Sequence, residues 1–259
     1  MKITFLGSGG AFTDYRVNYH NNALVETGDG LVLIDCGFTA CQSLRELGIH
    51  PSEIKAVLFT HLHADHASPE QLIWERYYSG PDGLPSYLPT PIAAPGELLG
   101  PMKAALQGYI DIYSGPDGKV RDDGVEKLLQ LTTTREVEVG GVRFRYFRVP
   151  HVTDGVIDKD AFGLEIIEGD RHVFWSGDTT FEPRWIREAA DQSNTVGIFH
   201  ECMFGPRFPG TVHTHWEELL SLPEDVRRRI VLMHHTAVPD GMDISAVADA
   251  ARRHQSFIL

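Results

Sequence analysis

Val57-Leu58-Phe59-Thr60-His61-Leu62-His63-Ala64-Asp65-His66 is the stretch that decides the fold of this chain. Its first three residues are apolar and predict a short buried strand. Four metal-binding side chains follow within six positions, at 61, 63, 65 and 66. They begin where the strand ends, which is where open α/β sheets usually bind ligands.

The spacing of these four side chains indicates two neighbouring metal ions. His61 and His63 are two positions apart, so they point to one side of an extended backbone. Asp65 and His66 are adjacent and do not easily share that direction. Neutral imidazole is the commonest zinc ligand, and a nearby carboxylate adds charge for a second cation. The alternative is a polar turn with chance histidines, which the density and placement of the motif disfavour.

Composition is typical of a soluble globular protein. The chain has 259 residues, of which 42% are hydrophobic, and we expect residues 1–259 to form a single α/β domain. No apolar run approaches the ~20 residues that span a membrane, so we expect no membrane partner. The start of the chain is too short an apolar run for a signal peptide. Three cysteines, at 36, 41 and 202, show no repeated spacing, which disfavours a disulfide framework and fits the cytoplasm.

The charge of the chain argues against nucleic acid as a partner. The formal net charge is −13, whereas binding to phosphate backbones depends on clustered Lys and Arg. We therefore expect a small-molecule substrate.

Strand and helix signals alternate along both halves of the chain. Period-two patterns and glycine turns predict strands at 2–6, 23–27, 31–34, 136–139, 142–149, 162–167, 172–175 and 196–200. Capping and periodicity predict helices at 39–47, 68–78, 101–110, 181–190 and 244–253, with a further helix after Thr214 in a Thr-x-x-Glu capping box. Two strand-rich halves with surface helices predict two sheets packed face to face between helical layers.

The motif His-x-His-x-Asp-His, at positions 61 to 66, resembles the signature of the metallo-β-lactamase-fold hydrolases. The resemblance implies a four-layer αββα sandwich and three further ligands at later strand ends. It implies that one metal is held by His61, His63 and His151, and the other by Asp65, His66 and His234, with Asp178 bridging. His235 lies beside His234, so either histidine could be the seventh ligand, and we favour His234. Asp35 would support a ligand histidine through its free ring nitrogen.

The same resemblance implies hydrolysis by a metal-bound hydroxide. Two zinc ions would lower the pKa of a shared water, and manganese or iron would fit the same ligands. The RNase Z-like, phosphodiesterase branch has a His-Glu segment and a later histidine, matched here by Glu201 and His213. The catalytic residues implied are therefore Asp65, Glu201 and His213, with His213 donating a proton to the leaving alkoxide.

We expect the substrate to be a small phosphodiester, cyclic ones included, because the chain is acidic and lacks the projecting arm of transfer-RNA processing members. A lactone or thioester hydrolase on the same metal site is one alternative. A non-catalytic metal-binding accessory protein is another, since bound zinc would then stabilise the fold without turnover. A homodimer is left open.

Overall fold

A computed structural model describes residues 1–152, 159–207, 210–235 and 237–259. The strands of the first half are β1 (Lys2–Gly7), β2 (Asn22–Thr27), β3 (Gly30–Ile34), β4 (Ile54–Leu58), β5 (Thr90–Ala94), β6 (Tyr113–Ser114), β7 (Val120–Arg121) and β8 (Leu129–Thr133). Those of the second half are β9 (Glu136–Val139), β10 (Val142–Val149), β11 (Ala161–Glu168), β12 (Arg171–Trp175), β13 (Thr195–Glu201), β14 (Ile230–Met233), β15 (Asp249–Ala250) and β16 (Ser256–Ile258). The helices are α1 (Ala40–Glu46), α2 (Glu70–Tyr78), α3 (Gly96–Ile110), α4 (Gly124–Leu128), α5 (Pro183–Asp191), α6 (Trp216–Leu219) and α7 (Glu224–Arg227), with a 3-10 turn at Pro51–Glu53.

The strands form two large mixed sheets, one from each half of the chain. The first sheet has the order β16-β1-β2-β3-β4-β5-β8, and the second has the order β15-β14-β13-β12-β11-β10-β9. A separate two-stranded ribbon is formed by β6 and β7. Each large sheet is antiparallel at one side and parallel at the other, since β3, β4, β5 and β8 run parallel, as do β12 to β15.

Aromatic side chains fill the space between the two sheets. Phe5 on β1 stacks on Trp175 of β12 with ring centroids 5.4 Å apart, and it also contacts Phe199 of β13. All three are fully buried. Burying an aromatic side chain removes a large apolar area from water, so these contacts join the sheets face to face.

Helices cover the outer faces of both sheets. Helices α1 to α4 pack on the first sheet, where Leu44 of α1 and Leu72 of α2 belong to the main core. A second apolar cluster lies on the outer face of the other sheet and includes Ile186 of α5 and Leu219 of α6. The predicted sandwich of two sheets between helical layers is therefore confirmed.

The parallel strands bring the carboxyl ends of β3, β4, β12, β13 and β14 to one edge of the sandwich. Strand β10 runs in the same direction as β12, because each pairs antiparallel with β11. The chain segments that leave these six strands carry the candidate ligands, so the fold itself gathers them.

Several sequence-based element predictions were wrong. Residues 244–253 do not form a helix: they run along the edge of β14, where Ala248 N donates to Ile230 O and Ala251 N to Leu232 O. Thr214 does not cap a helix, because its hydroxyl donates to Thr179 O, and His215 caps α6 instead. Strand β5 was not predicted, and α3 begins five residues earlier than expected, at Gly96.

Within the described part of the chain, no helix combines the length and apolar character that crossing a bilayer requires.

Candidate metal centre

A first group of candidate ligand atoms comes from three histidines on two chain segments. His61 and His63 leave β4, and His151 leaves β10. The Nδ1 atom of His63 lies 3.0 Å from His61 Nε2 and 3.2 Å from His151 Nε2. Nitrogen ligands about 2.0–2.1 Å from one tetrahedral zinc ion lie ~3.3 Å from each other. The three imidazoles therefore have the spacing of ligands to one cation.

A second group lies beside the first and contains two histidines and two carboxylates. His234 Nε2 is 3.1 Å from Asp65 Oδ2 and 3.3 Å from Asp178 Oδ2. His66 Nε2 is 3.2 Å from the same oxygen of Asp65 and 3.4 Å from that of Asp178. All four side chains are buried.

Asp178 faces both groups. Besides the contacts above, its Oδ2 lies 3.7 Å from His61 Nε2 and 4.0 Å from His151 Nε2. Gly177 before it has φ +60°, and a Cβ at that position would lie 2.3 Å from Phe162 O. Glycine is therefore required for the turn that aims Asp178 at the gap between the groups.

The unpaired atoms of the cluster fit a pair of cations. His66 Nε2 and Asp178 Oδ1 are buried and have no hydrogen-bond partner among the described residues. Buried polar atoms are normally paired, so atoms left over at the centre of a His/Asp cluster fit ligands to an ion. The donor set of imidazole nitrogen and carboxylate oxygen is the one that zinc accepts.

The pKa values of the metal-free cluster point the same way. Burial lowers the pKa of His63 to about 4, and the neighbouring His151 adds to this shift. Burial also lowers the pKa of His234, but Asp178, Asp65 and Glu201 outweigh it and raise the pKa to about 10. The second group thus attracts positive charge, which a proton supplies in the metal-free protein.

Asp35 orients His66 from behind. Its Oδ2 lies 2.8 Å from His66 Nδ1 and accepts a hydrogen bond from the Thr60 hydroxyl, while its Oδ1 accepts from Thr60 N. A carboxylate on Nδ1 fixes the proton there and leaves Nε2 free to face the cluster. Asp35, directly after β3, has φ +59°, which is uncommon for a residue other than glycine.

Of the two adjacent histidines, the structure turns His234 toward the cluster and His235 away from it. The ring of His235 is directed at the backbone, with Nε2 donating to Ala251 O at 3.0 Å. His234 reaches the cluster because its own backbone has φ +43°.

Glu201 and His213 form a pair at the edge of the cluster. His213 Nδ1 donates to Glu201 Oε2 at 2.8 Å, and Thr179 N donates to Glu201 Oε1 at 2.6 Å. Glu201 is fully buried, whereas the His213 side chain keeps 25% of its surface exposed. Burial lowers the pKa of His213, but attraction to Glu201 outweighs it, and the net shift of the pKa is upward. The bond at Nδ1 leaves Nε2 as the nitrogen available to a bound molecule.

An open cleft of about 1150 Å³ leads to this pair. Its walls include His213, His234 and apolar side chains such as Phe12, Met203 and Val238. The volume exceeds that of a single phosphate group and suits a small organic substrate.

Sequence reasoning missed Thr60 and Thr179 as supports of the site. Each lies directly next to a candidate ligand, His61 or Asp178, and each donates a hydrogen bond to a buried carboxylate. The threonine before His61 was an available signal, because its hydroxyl is one of the donors, whereas Thr179 donates through its backbone nitrogen and its residue type gave no signal.

The two mixed sheets, their helical covers and the His/Asp cluster at the strand ends define a metallo-β-lactamase-fold protein. The crystal structure of the metallo-β-lactamase fold protein YhfI from Bacillus subtilis superposes with a TM-score of 0.72 at 17% identity, covering 99% of this chain and 98% of that chain.

A family model described as "Anti-Pycsar protein Apyc1" matches residues 1–257, and the chain therefore belongs to the Apyc1 family of anti-Pycsar proteins. The anti-Pycsar protein Apyc1 of Paenibacillus sp. (strain J14) is 30% identical, over 100% of this chain and 99% of its own length. The Apyc1 protein of Saccharibacillus brassicae is 33% identical, over 91% of this chain and 90% of its own length.

Proposed function

We propose that this protein is a dinuclear-metal hydrolase that cleaves a small phosphodiester, cyclic phosphodiesters included. The observation that carries the proposal is the Glu201–His213 pair, placed beside a seven-ligand cluster at the end of an open cleft. A purely structural metal site closes its coordination sphere and has no need of a histidine oriented toward a cleft. We take the anti-Pycsar action for which the relatives are named to proceed by this hydrolysis.

In this proposal His61, His63 and His151 hold one cation. Asp65, His66 and His234 hold the other, and Asp178 lies between them. Two zinc ions, or manganese or iron in their place, would supply a water of lowered pKa and positive charge at a phosphoryl oxygen. Asp65 would also orient that water through its carboxylate.

His213 protonates the leaving group. Its Nδ1–H is fixed on Glu201, so Nε2 is the atom that gives a proton to the departing alkoxide. An alkoxide is a poor leaving group, whereas an enzyme for thioesters has a better one and gains less from an acid at this position. The pair therefore favours a substrate that releases an alcohol over a thioester, and the comparison of substrates below separates a phosphodiester from a lactone, which also releases an alcohol.

The test compares substrate classes on protein purified without metal and loaded with two equivalents of zinc. The substrates are a nitrophenyl phosphodiester, a cyclic phosphodiester, a lactone and a thioester. Turnover of both phosphodiesters supports the proposal when turnover of the cyclic one, which releases an alkoxide, depends on His213. If lactone or thioester hydrolysis is equally fast or faster, that substrate class replaces the phosphodiester in the proposal. If the zinc-loaded protein hydrolyses none of the four substrates, the result fits a metal-binding accessory protein instead.

A histidine variant outside the cluster provides the control. His172 lies on β12, away from the ligand groups, and its backbone nitrogen donates to Asn194 O. His172→Ala should keep wild-type turnover on every substrate. A loss of turnover in His213→Ala is then specific to position 213 and is not a general effect of removing a histidine.

A further inference from the structure

Two adjacent asparagines at the start of β2 are buried and reach the backbone of two different loops. Asn21 is 1% exposed and Asn22 is fully buried. The side-chain oxygen of Asn21 accepts from His234 N at 3.3 Å, and that of Asn22 accepts from Gly37 N at 2.6 Å. Burying two amides is unfavourable unless their hydrogen bonds are made, so their placement needs a reason.

The hydrogen bond from Asn21 stabilises a backbone conformation of His234 that is unfavourable for a histidine. His234 has φ +43°, in the left-handed region that side chains with a Cβ rarely adopt. This conformation directs the ring so that Nε2 lies 3.1 Å from Asp65 Oδ2. Asn21 also donates to Met233 Sδ at 3.8 Å, so its side chain contacts two consecutive residues of this turn.

The bond from Asn22 acts on the same group of ligands by another route. Gly37 lies two residues after Asp35 and is packed against the chain at Asp65, where a Cβ on the glycine would come within 1.8 Å of Asp65 O. The neighbouring Cys36 N donates to His66 O at 2.7 Å. Fixing Gly37 therefore fixes the backbone of Asp65 and His66.

The first group of histidines is supported elsewhere. His151 Nδ1 donates to Val212 O at 3.0 Å, and His61 Nδ1 lies 3.2 Å from Thr60 Oγ1. In the described residues, no hydrogen bond joins either asparagine to His61, His63 or His151.

We propose that Asn21 and Asn22 are positioning residues for the second metal, the one held by Asp65, His66 and His234, and not for the first. The inference rests on the proposed two-metal centre. It assigns the two cations separate supports, so their affinities can be changed independently.

The experiment is a zinc titration of metal-free protein, with binding measured by calorimetry and by competition with a chelating dye. In Asn21→Leu, which keeps the branching at Cγ but loses the acceptor, one equivalent should bind about 10- to 100-fold more weakly while the other keeps its wild-type affinity. Asn21→Asp retains an acceptor oxygen for His234 N and should recover part of the loss. In a His151→Ala background, the first group is incomplete and one equivalent of zinc remains. Adding Asn21→Leu there should weaken the affinity for this equivalent by the full factor.

The control is Ser43→Ala. Ser43 is also fully buried and donates to Leu6 O at 2.7 Å, so this variant loses a buried hydrogen bond that does not involve a ligand loop. It should lower thermal stability and leave both zinc affinities unchanged.

Two results would overturn the inference: an equal weakening of both equivalents in Asn21→Leu, or two equivalents bound with wild-type affinity. If Asn21→Leu does not fold, Asn22→Ala is judged by the same criterion. A wild-type protein that binds fewer than two equivalents contradicts the proposed function itself, which separates the two failures.

Discussion

Replacing His213 tests how the site handles a poor leaving group. His213 Nδ1 is bound to Glu201 at 2.8 Å, and its ring lies 5.2 Å from that of His234 and 5.1 Å from that of His151. It lies beside two of the proposed ligands and is not needed to complete either proposed group. His213→Ala should therefore retain both metals and lose the proton donor.

The size of the loss depends on the substrate. A positioned general acid contributes a factor of about 10²–10⁴, or ~3–5 kcal/mol of barrier, when the leaving group is an alkoxide. A nitrophenolate departs without a proton, so its diester should lose little. The assay compares kcat of wild type and His213→Ala on an alkyl phosphodiester and on a nitrophenyl phosphodiester, with bound zinc measured in the same samples.

A second variant separates proton donation from packing. Alanine at position 213 leaves Oε2 of the buried Glu201 without the imidazole that donates to it, which costs stability. His213→Asn keeps an N–H near the position of Nδ1 but has no equivalent of Nε2, so stability should recover while kcat on the alkyl substrate stays low. Equal losses on both substrates, or full activity with metal retained, would refute the role of His213 as the acid.

Three further predictions concern the metal groups. His63→Ala should lose metal and turnover together, because His63 Nδ1 is the atom that both His61 and His151 approach. Elemental analysis of the samples used in the activity assay checks this. An active variant that contains two metals would contradict it. Asp35→Asn should weaken metal binding by about 10- to 100-fold, because the carboxylate on His66 Nδ1 is lost, and a dye competition titration measures the change. Metal-free protein should lose stability as the pH rises from about 6.5 to 10, since folded His234, with its pKa raised to about 10, holds a proton that the unfolded chain releases. Urea unfolding in chelator at pH 7 and 9.5 tests that slope, and an unchanged or higher midpoint at pH 9.5 would contradict it.

The strand ends could be predicted from sequence because local pattern and tertiary position agree there. The apolar run before His61 is β4, and its residues 56–58 are buried, as expected for a strand covered on both faces. In β10 the alternation Val142-Arg143-Phe144-Arg145 places apolar residues inside and arginines outside. Where such strands stop, the polar residues that follow lie together at the shared edge of the sandwich.

The C-terminal region shows where local pattern fails. Residues 244–253 have helical periodicity, but the edge of β14 offers backbone partners, and pairing with Ile230 and Leu232 outweighs helix propensity. The role of Asn21 was equally hidden, because its partner at position 234 is over 200 residues away, and β2 gives no local sign of it.

The most direct test of the central claim is a crystal structure of zinc-loaded protein with diffraction recorded on both sides of the zinc absorption edge. We predict two anomalous peaks about 3.5–4 Å apart. One should lie among His61, His63 and His151, the other between His66 and His234, with Asp178 reaching both. A single peak, or peaks away from these side chains, would contradict the proposed two-metal hydrolase.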